Sequence, residues 1–398
     1  MGCNEEPNPI YDDVNIFPTV YENGKFRIYW SKYDGPDFTN YQLYVSSNEN
    51  MSEKQLLASF EDPDSVTYIE NQTSLELNEK KYYQIYLSSI LESDSHSSNI
   101  TSSHNWYIYN DILNCNKIDY TINTLDNDAH PYYRLPPFTI EEIEELYPVD
   151  SLGIPVYSKD GTNYNHPVRL AQIVLHLMNS YSFDTENHHL LDRAKLLLDR
   201  LLEIAYSTEN LIFFPYPFDF SLHSDDNELM VAPWYSGMAQ GQALSAFLKY
   251  YSASEDNLYL QSAEKIFNSY FKLMQNGSPW ISGIDGENYL WFEEYPDSGQ
   301  PNKTLNGMIF AIYGLYDYYQ ETLDQQCLDL LKISITTIQK YIEYFRVEGE
   351  QSYYCLTHQV QNPTYHRIHK RQLGYLYAIT GEQYFYDMQQ LMEADYND

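Results

Sequence analysis

Met238-Ala239-Gln240-Gly241-Gln242-Ala243 and, about 65 residues later, Leu305-Asn306-Gly307-Met308-Ile309-Phe310-Ala311 are the stretches that decide the fold. Both are rich in small residues, and both open helical patterns. Each is followed by a second, more amphipathic helix. Helices are predicted over about 167–181, 188–206, 235–252, 256–275, 304–321, 325–346, 367–380 and 382–394. They fall into pairs that start near 167, 235, 304 and 367, a repeat of about 65 residues. Antiparallel pairs repeated in this way build an α/α-toroid, one ring of helices inside another. The Gly/Ala-rich helices belong to the inner ring, where crowding favours small side chains. The long aromatic loops precede the inner helices, so Trp234-Tyr235, Glu293 to Pro296 and Tyr354 to Tyr365 are expected at one mouth of the toroid.

Upstream the period changes. From about Gly24 to Ser103 the chain alternates with period two, as in Phe26-Arg27-Ile28-Tyr29-Trp30, Tyr41-Gln42-Leu43-Tyr44-Val45, Ser74-Leu75-Glu76-Leu77 and Tyr82 to Leu87. Turn-forming clusters such as Tyr33-Asp34-Gly35-Pro36 separate the runs, and short strands at this spacing predict a β-sandwich. With Trp30 as the early core aromatic and Tyr83 to Leu87 as the late central strand, the pattern resembles a fibronectin type III domain. The expected organisation is multidomain α+β. It comprises a polar tether over 1–20, the β-sandwich over 21–105, a connecting region over 106–166 with a short acidic helix from Ile140 to Tyr147, and an incomplete toroid over 167–398.

The chain has 398 residues and a formal charge of -34, which argues against nucleic acid and anionic membranes as partners. No apolar run of about 20 residues is present to span a membrane. Met1-Gly2-Cys3-Asn4-Glu5-Glu6 reads like a bacterial lipoprotein after signal removal, which predicts a periplasmic or cell-surface protein anchored through Cys3. Cys115, Cys327 and Cys355 show neither CxxC nor zinc-finger spacing. The 42 Tyr fit either codon usage or a carbohydrate cleft, where the ring covers sugar faces and the hydroxyl bonds to sugar hydroxyls.

One window departs from the overall acidity. Gln351 to Gly381 contains no Asp or Glu, yet holds His358, His366, Arg367, His369, Lys370 and Arg371 interleaved with Tyr354 and Tyr365. Such an island is suited to holding an anion. Nearby cations also stabilise tyrosinate, so the island is expected to lower a tyrosine pKa and let it act as a base. Metal is not predicted, since His358 and His369 have no carboxylate near them in sequence. Asp225, Asp226 and Glu228 are the alternative place for a divalent cation.

Three segments together resemble the C-terminal catalytic domain of the D-glucuronyl C5-epimerases. They are Trp234 to Ala243, matching a WYSAMAQGQA-like motif; Glu293-Glu294-Tyr295-Pro296 followed by Leu305-Asn306-Gly307; and Tyr354 to His358 with Thr364 to Leu373, matching YDLRH and DYHxxHxxQL. The likeness covers roughly 130–398. The Asp and Arg of YDLRH are Cys355 and Thr357 here. The resemblance implies an isomerase that converts glucuronic to iduronic acid residues within a heparosan-like, anionic polysaccharide. It implies no cofactor, and a homodimer is common in the family. It points to Glu294, Tyr295, Tyr354 and Tyr365 as catalytic groups.

The chemistry asks for such residues on its own terms. Removing the proton alpha to a carboxylate needs stabilisation of the enediolate and two acid/base groups on opposite faces of the ring. Trp234, Tyr235, Met238, Asn306, His358, His366, Arg367 and Arg371 are the expected substrate contacts, with His366, Arg367 and Arg371 as the carboxylate clamp. Tyr365 is expected to face the Glu294/Tyr295 pair across the substrate, and the sequence leaves open which group serves which face. A polysaccharide lyase, which also begins at C5, and a noncatalytic glycan-binding lipoprotein are the competing readings.

Overall fold

A computed structural model of the chain describes residues 14–17, 19–22, 25–35, 38–48, 50–70, 81–89, 96–102, 112–208, 210–224, 228–274, 278–296 and 301–397. The expected strand at Ser74 to Leu77, the anchor residue Cys3, and Asp225 and Asp226 lie outside them. The chain divides into two compact units, residues 1–111 and 112–398.

The first unit is all β. Strands β1 (Val20–Glu22), β2 (Lys25–Tyr29) and β5 (Thr67–Glu70) form one antiparallel sheet in the order β1-β2-β5. β3 (Phe38–Ser46), β4 (Gln55–Phe60), β6 (Tyr82–Ser89), β7 (His96–Ser97) and β8 (Thr101–Ser102) form the other, ordered β4-β3-β6-β7 with β8 also on β6. The register pairs Tyr41 with Leu87, Leu43 with Ile85 and Val45 with Tyr83. Period-two alternation therefore sends Tyr41, Leu43, Tyr83, Ile85 and Leu87 to one core, where they meet Ile28 and Trp30 of the other sheet. Val14 and Ile16, in the stretch expected as a tether, are buried in the same core. Ile16 bridges to Trp30, because its apolar side chain gains more from the core than from water.

The second unit is helix-rich. After a short helix α1 (Ile140–Glu145), closed by a reciprocal capping box between Thr139 and Glu142, come four antiparallel hairpins. They are α2 (Pro167–Phe183) with α3 (His188–Ile204), α4 (Gly237–Ser254) with α5 (Asn257–Asn268), α6 (Leu305–Thr322) with α7 (Gln325–Phe345), and α8 (Pro363–Thr380) with α9 (Gln383–Asp395). The first helices pack side by side in the order α2, α4, α6, α8, and each second helix covers its own partner. This is an inner and an outer layer of α/α-toroid type.

The helix ends follow the sequence. Asn362 caps α8 by accepting from Thr364 N–H, and Pro363 at the first helical position needs no donor partner. α8 thus begins four residues earlier than the basic island predicts. α5 stops at Asn268, short of 275, because the 3-10 turn Ser269–Phe271 follows.

Small residues matter where α4 crosses α6. A Cβ on Gly241 would lie 2.4 Å from the Phe310 carbonyl oxygen and 2.5 Å from Ala311 Cα. One on Gly314 would lie 2.6 Å from the Gly241 carbonyl oxygen. The two backbones touch, and neither position has room for a methyl group. The segment before α1 straps the opposite end of the inner layer. Leu125 N–H donates to the Tyr316 hydroxyl at 2.9 Å, and Asn123 N–H to the Ile379 carbonyl at 2.7 Å. His130 pairs with the buried Asp317 at 2.7 Å. Among the described residues no helix is long and apolar enough to cross a membrane.

The α4–α6 contact gives a direct expectation. Gly241→Ala destabilises the second unit by about 1–3 kcal/mol, the usual cost of overpacking a close contact. Gly286→Ala, where a Cβ meets nothing within 4 Å, stays within about 0.5 kcal/mol of the parent. Urea unfolding of both variants measures the contrast, and equal midpoints would refute the backbone contact.

Candidate active site

The N-terminal ends of all four inner helices line one cavity of about 550 Å³. His166 and Val168 come from α2, Ser236 and Met238 from α4, Asn306 and Phe310 from α6, and Asn362, Tyr365 and Ile368 from α8. Its volume is in the range of small-ligand pockets. Each helix brings the positive end of its dipole to the wall, so the cavity favours negative charge without a formal cation. Among the described residues, no Lys or Arg lines it.

An aromatic wall closes one side. Trp234 stacks flat on Tyr216 at 3.8 Å between ring centroids, and its indole N–H donates to the Phe218 carbonyl at 2.9 Å. Phe220, on the hairpin of β9 (Phe220–Ser221) and β10 (Leu229–Met230), stacks on Tyr295 at 5.8 Å. Flat rings of this kind suit the apolar faces of a sugar.

Among the described residues, Glu294 is the single acidic side chain in the wall. The preceding hairpin positions it. Strands β11 (Ser282–Ile284) and β12 (Leu290–Phe292) deliver Glu293, whose N–H donates to the Ile281 carbonyl and whose carbonyl accepts from Gly237 N–H, both at 2.7 Å. The Glu293 carboxylate accepts from Lys303 N–H at 3.0 Å, so Glu293 is a buried fastener and not a solvated loop charge. Glu294 then turns onto the start of α6, where a Cβ on Gly307 would stand 2.4 Å from its Oε2. Gly307 is what makes room for the carboxyl.

Burial drives the Glu294 pKa up from the ordinary 4.5 to about 7. The hydroxyls of Tyr295 and Tyr354, the Asn306 side chain and the Gly307 N–H oppose that rise without cancelling it. The Tyr295 and Tyr354 hydroxyls share a hydrogen bond of 3.1 Å, and the Tyr354 ring lies 4.2 Å from that of Tyr365. All three tyrosines are pushed above the ordinary phenol value, by burial first and then by the Glu294 charge. They are neutral phenols at neutral pH.

This corrects the role expected for the basic island, because α8 distributes it over three faces. Tyr365 and Ile368 turn to the cavity. His366 is fully buried between helices, bonded to Ser352 N–H at 2.9 Å and facing the Met392 carbonyl at 3.0 Å. His369 is buried against Ser352, and its pKa is driven down to about 3 by burial and by His366. Lys370 pairs with Glu393 at 2.7 Å, while Arg367 and Arg371 are exposed. None of these side chains lines the cavity, so none stabilises a tyrosinate or clamps a carboxylate there.

The other expected contacts separate as well. Trp234, Met238 and Asn306 are in the cavity wall. Tyr235 is not: it packs edge-on against Phe213 at 5.6 Å inside the core. His358 lies outside the wall and pairs with Glu228 at 2.5 Å. Tyr354 stands behind Tyr295 and Tyr365 without lining the cavity itself.

Sequence reasoning missed His166, Tyr216, Phe218 and Asn362. Burial lowers the His166 pKa to about 4, so it stays neutral; its Nδ1 accepts from Arg169 N–H and caps α2. An aromatic run from Phe213 to Phe220 and two X-Pro helix starts, His166-Pro167 and Asn362-Pro363, were the available signals.

Residues 208–393, which hold Glu294 and the three tyrosines, match the family described as D-glucuronyl C5-epimerase C-terminus. That segment is similar to the C-terminal domain of this epimerase family. D-glucuronyl C5-epimerase of Caenorhabditis elegans is 34% identical over 98 residues, covering 24% of this chain and 15% of the worm protein. Uncharacterized protein MJ1128 of Methanocaldococcus jannaschii is 26% identical over 184 residues, 46% of this chain and 58% of that protein. The chain therefore spans little more than half of one curated relative and a small part of the other. Among solved structures, a D-mannose isomerase is 14% identical with a TM-score of 0.45, covering 64% of this chain and 66% of that one. Cellobiose 2-epimerase from Bacillus thermoamylovorans B4167 is 14% identical with a TM-score of 0.44, covering 58% and 59%.

The Glu294 shift has a consequence for stability. Between pH 4.5 and about 7 the folded protein holds a proton that the unfolded chain has released. Folded stability therefore falls as pH rises through that window. Glu294→Gln removes the effect and is expected to be more stable than the parent by up to about 3 kcal/mol at about pH 8. The gain shrinks as pH drops towards 5. Urea unfolding across this range tests it, and a pH-independent difference would show that Glu294 titrates normally.

Proposed function

We propose that the second unit epimerises a hexuronate residue at C5 within a polysaccharide, converting glucuronate to iduronate in a heparosan-like chain. The observation that carries this reading is a buried carboxyl with a pKa of about 7 set among neutral phenols in the cavity. A carboxylate at this pKa is a far better base than an exposed one, and it is half deprotonated at neutral pH.

In the proposed cycle, Glu294 takes the C5 proton and the electron pair moves into the substrate carboxylate as an enediolate. The converging helix ends and the neutral donors Asn306 and Asn362 stabilise that charge. The Tyr365 phenol donates a proton to C5 on the opposite face, inverting it. The tyrosine row then resets the site. Protonated Glu294 passes its proton through Tyr295 and Tyr354, whose hydroxyls are bonded to one another, to the Tyr365 phenolate. The match of residues 208–393 to the D-glucuronyl C5-epimerase C-terminus family supports the same chemistry. The Trp234, Tyr216 and Phe220 rings supply faces for the flanking sugars.

The N-terminal unit is read as a fibronectin type III-like spacer or added carbohydrate contact, supported by its strand orders β1-β2-β5 and β4-β3-β6-β7. Anchoring through Cys3 at the cell surface and a homodimer complete the proposal.

Incubation of the full chain with heparosan in deuterated water tests the reaction. Deuterium at C5 of uronate residues, without chain shortening, is the expected result. The rate climbs with pH through about 7 as Glu294 deprotonates. Glu294→Gln and Tyr365→Phe each lower the exchange rate by about 100-fold or more. Unsaturated uronate absorbance with shortening chains would establish β-elimination instead, and binding without exchange would establish a noncatalytic module.

A further inference from the structure

Away from the cavity, three ligand-type side chains converge on one point. His223 lies in the turn between β9 and β10, and Cys355 and His358 lie on the loop that carries Tyr354. Cys355 Sγ is 3.3 Å from His358 Nδ1 and 3.5 Å from His223 Nε2, and the three ligand atoms all lie within 4.8 Å of one another. A tetrahedral zinc ion with Zn–S of about 2.3 Å and Zn–N of about 2.0–2.1 Å sets its sulfur and nitrogen ligands about 3.5 Å apart. The two sulfur–nitrogen spacings match that geometry. A thiol is also a weak hydrogen-bond donor, so two imidazoles turned on one buried sulfur gain little without a cation between them.

A further contact points the same way. The opposite nitrogen of His358, Nε2, meets Glu228 Oε1 at 2.5 Å. A carboxylate behind a histidine fixes its tautomer and leaves the other nitrogen free to bind metal. Here that places the proton on Nε2 and a lone pair on Nδ1, facing Cys355. His223 is held at φ 53, a conformation that non-glycine residues seldom adopt and that surrounding structure must fix.

We propose that His223, Cys355 and His358 bind a zinc ion, with Glu228 orienting His358 and a fourth position left for water or a ligand. A mixed thiolate and imidazole set favours zinc over magnesium or calcium, which prefer oxygen. The ion ties the β9–β10 hairpin to the Tyr354 loop. That hairpin carries Phe220, which stacks on Tyr295, and the His223 ring meets the Tyr354 ring edge-on at 5.8 Å. Metal binding thus braces the aromatic rim of the cavity from outside and sets a positive charge near Tyr354, where the wall has no Lys or Arg among the described residues.

The test uses the full chain stripped of metal and titrated with cobalt(II) and, separately, with zinc. One equivalent of cobalt is expected to give a thiolate-to-cobalt charge-transfer band in the near ultraviolet, with visible bands of a four-coordinate ion. Zinc is expected to raise the unfolding temperature. Cys355→Ser loses both the thiolate band and the zinc-dependent stabilisation. Glu228→Gln, a change at a partly exposed side chain, keeps the band and weakens zinc affinity by about 10–100-fold. Absence of the thiolate band in the parent protein, or its persistence in Cys355→Ser, overturns the proposal. If Cys355→Ser does not fold, Glu228→Gln decides: zinc affinity equal to the parent's overturns the site.

Discussion

The contact between Gly241 and Gly314 governs how the rest of the second unit is placed. Glycine inside a helix costs about 1 kcal/mol relative to alanine, so two of them at a crossing must be offset by what they permit. They permit backbone contact between α4 and α6. Close approach there draws the N-terminal ends of the inner helices onto a common volume instead of leaving them apart. Gly307, one turn into the same α6, continues the effect at the mouth, because only hydrogen fits against the Glu294 carboxyl. The small residues thus act first on packing, then on the position of a single acid.

Two electrostatic effects compete at that acid. Helix N-termini and the Gly307 N–H stabilise a carboxylate, which would hold its pKa down. Burial among aromatic rings removes the water that would do the same work, and it wins, leaving the pKa near 7. The neighbouring phenols are subject to the same burial and to the same negative charge, so they rise as Glu294 rises. A site of this kind separates its groups into one titratable base and a row of neutral acids. No guanidinium or ammonium in the wall is needed to achieve the separation.

Much of this was legible in the sequence. Hydrophobic periodicity and small-residue content located the inner helices to within a few residues, because the helical period and the crowding at a helix crossing both leave marks in composition. Glu294, Tyr295 and Tyr365 stood out through motif context. The basic island misled because charge was counted along the chain and not around a helix. Once α8 starts at Pro363, residues 365 and 368 share one face, 366, 369 and 370 another, and 367 and 371 a third. Tyr235 failed for a similar reason: beside Trp234 in an aromatic motif, it nevertheless points the other way, into the core. His358 was set aside as a metal ligand because no carboxylate was close in sequence, yet Glu228 reaches it across 130 residues.

The distribution of charge fits a protein that handles an anion while carrying a charge of -34. Long-range repulsion from the acidic surface is screened beyond about 10 Å at ordinary salt, so what decides binding is the local field of the cavity. That field comes from dipoles fixed in the backbone and not from mobile cationic side chains. Backbone dipoles at helix ends do not reorganise when negative charge moves from a carboxylate into an enediolate, whereas a flexible lysine must follow it. A wall with no Lys or Arg among the described residues has a further consequence for the tyrosines. With no adjacent ammonium or guanidinium to hold a phenolate, a tyrosine that gives up its proton is driven to recover it at once. In the proposed cycle the bonded row from Tyr295 to Tyr354 is the route, and the buried carboxyl at its end is the proton source at a pKa matched to neutral pH.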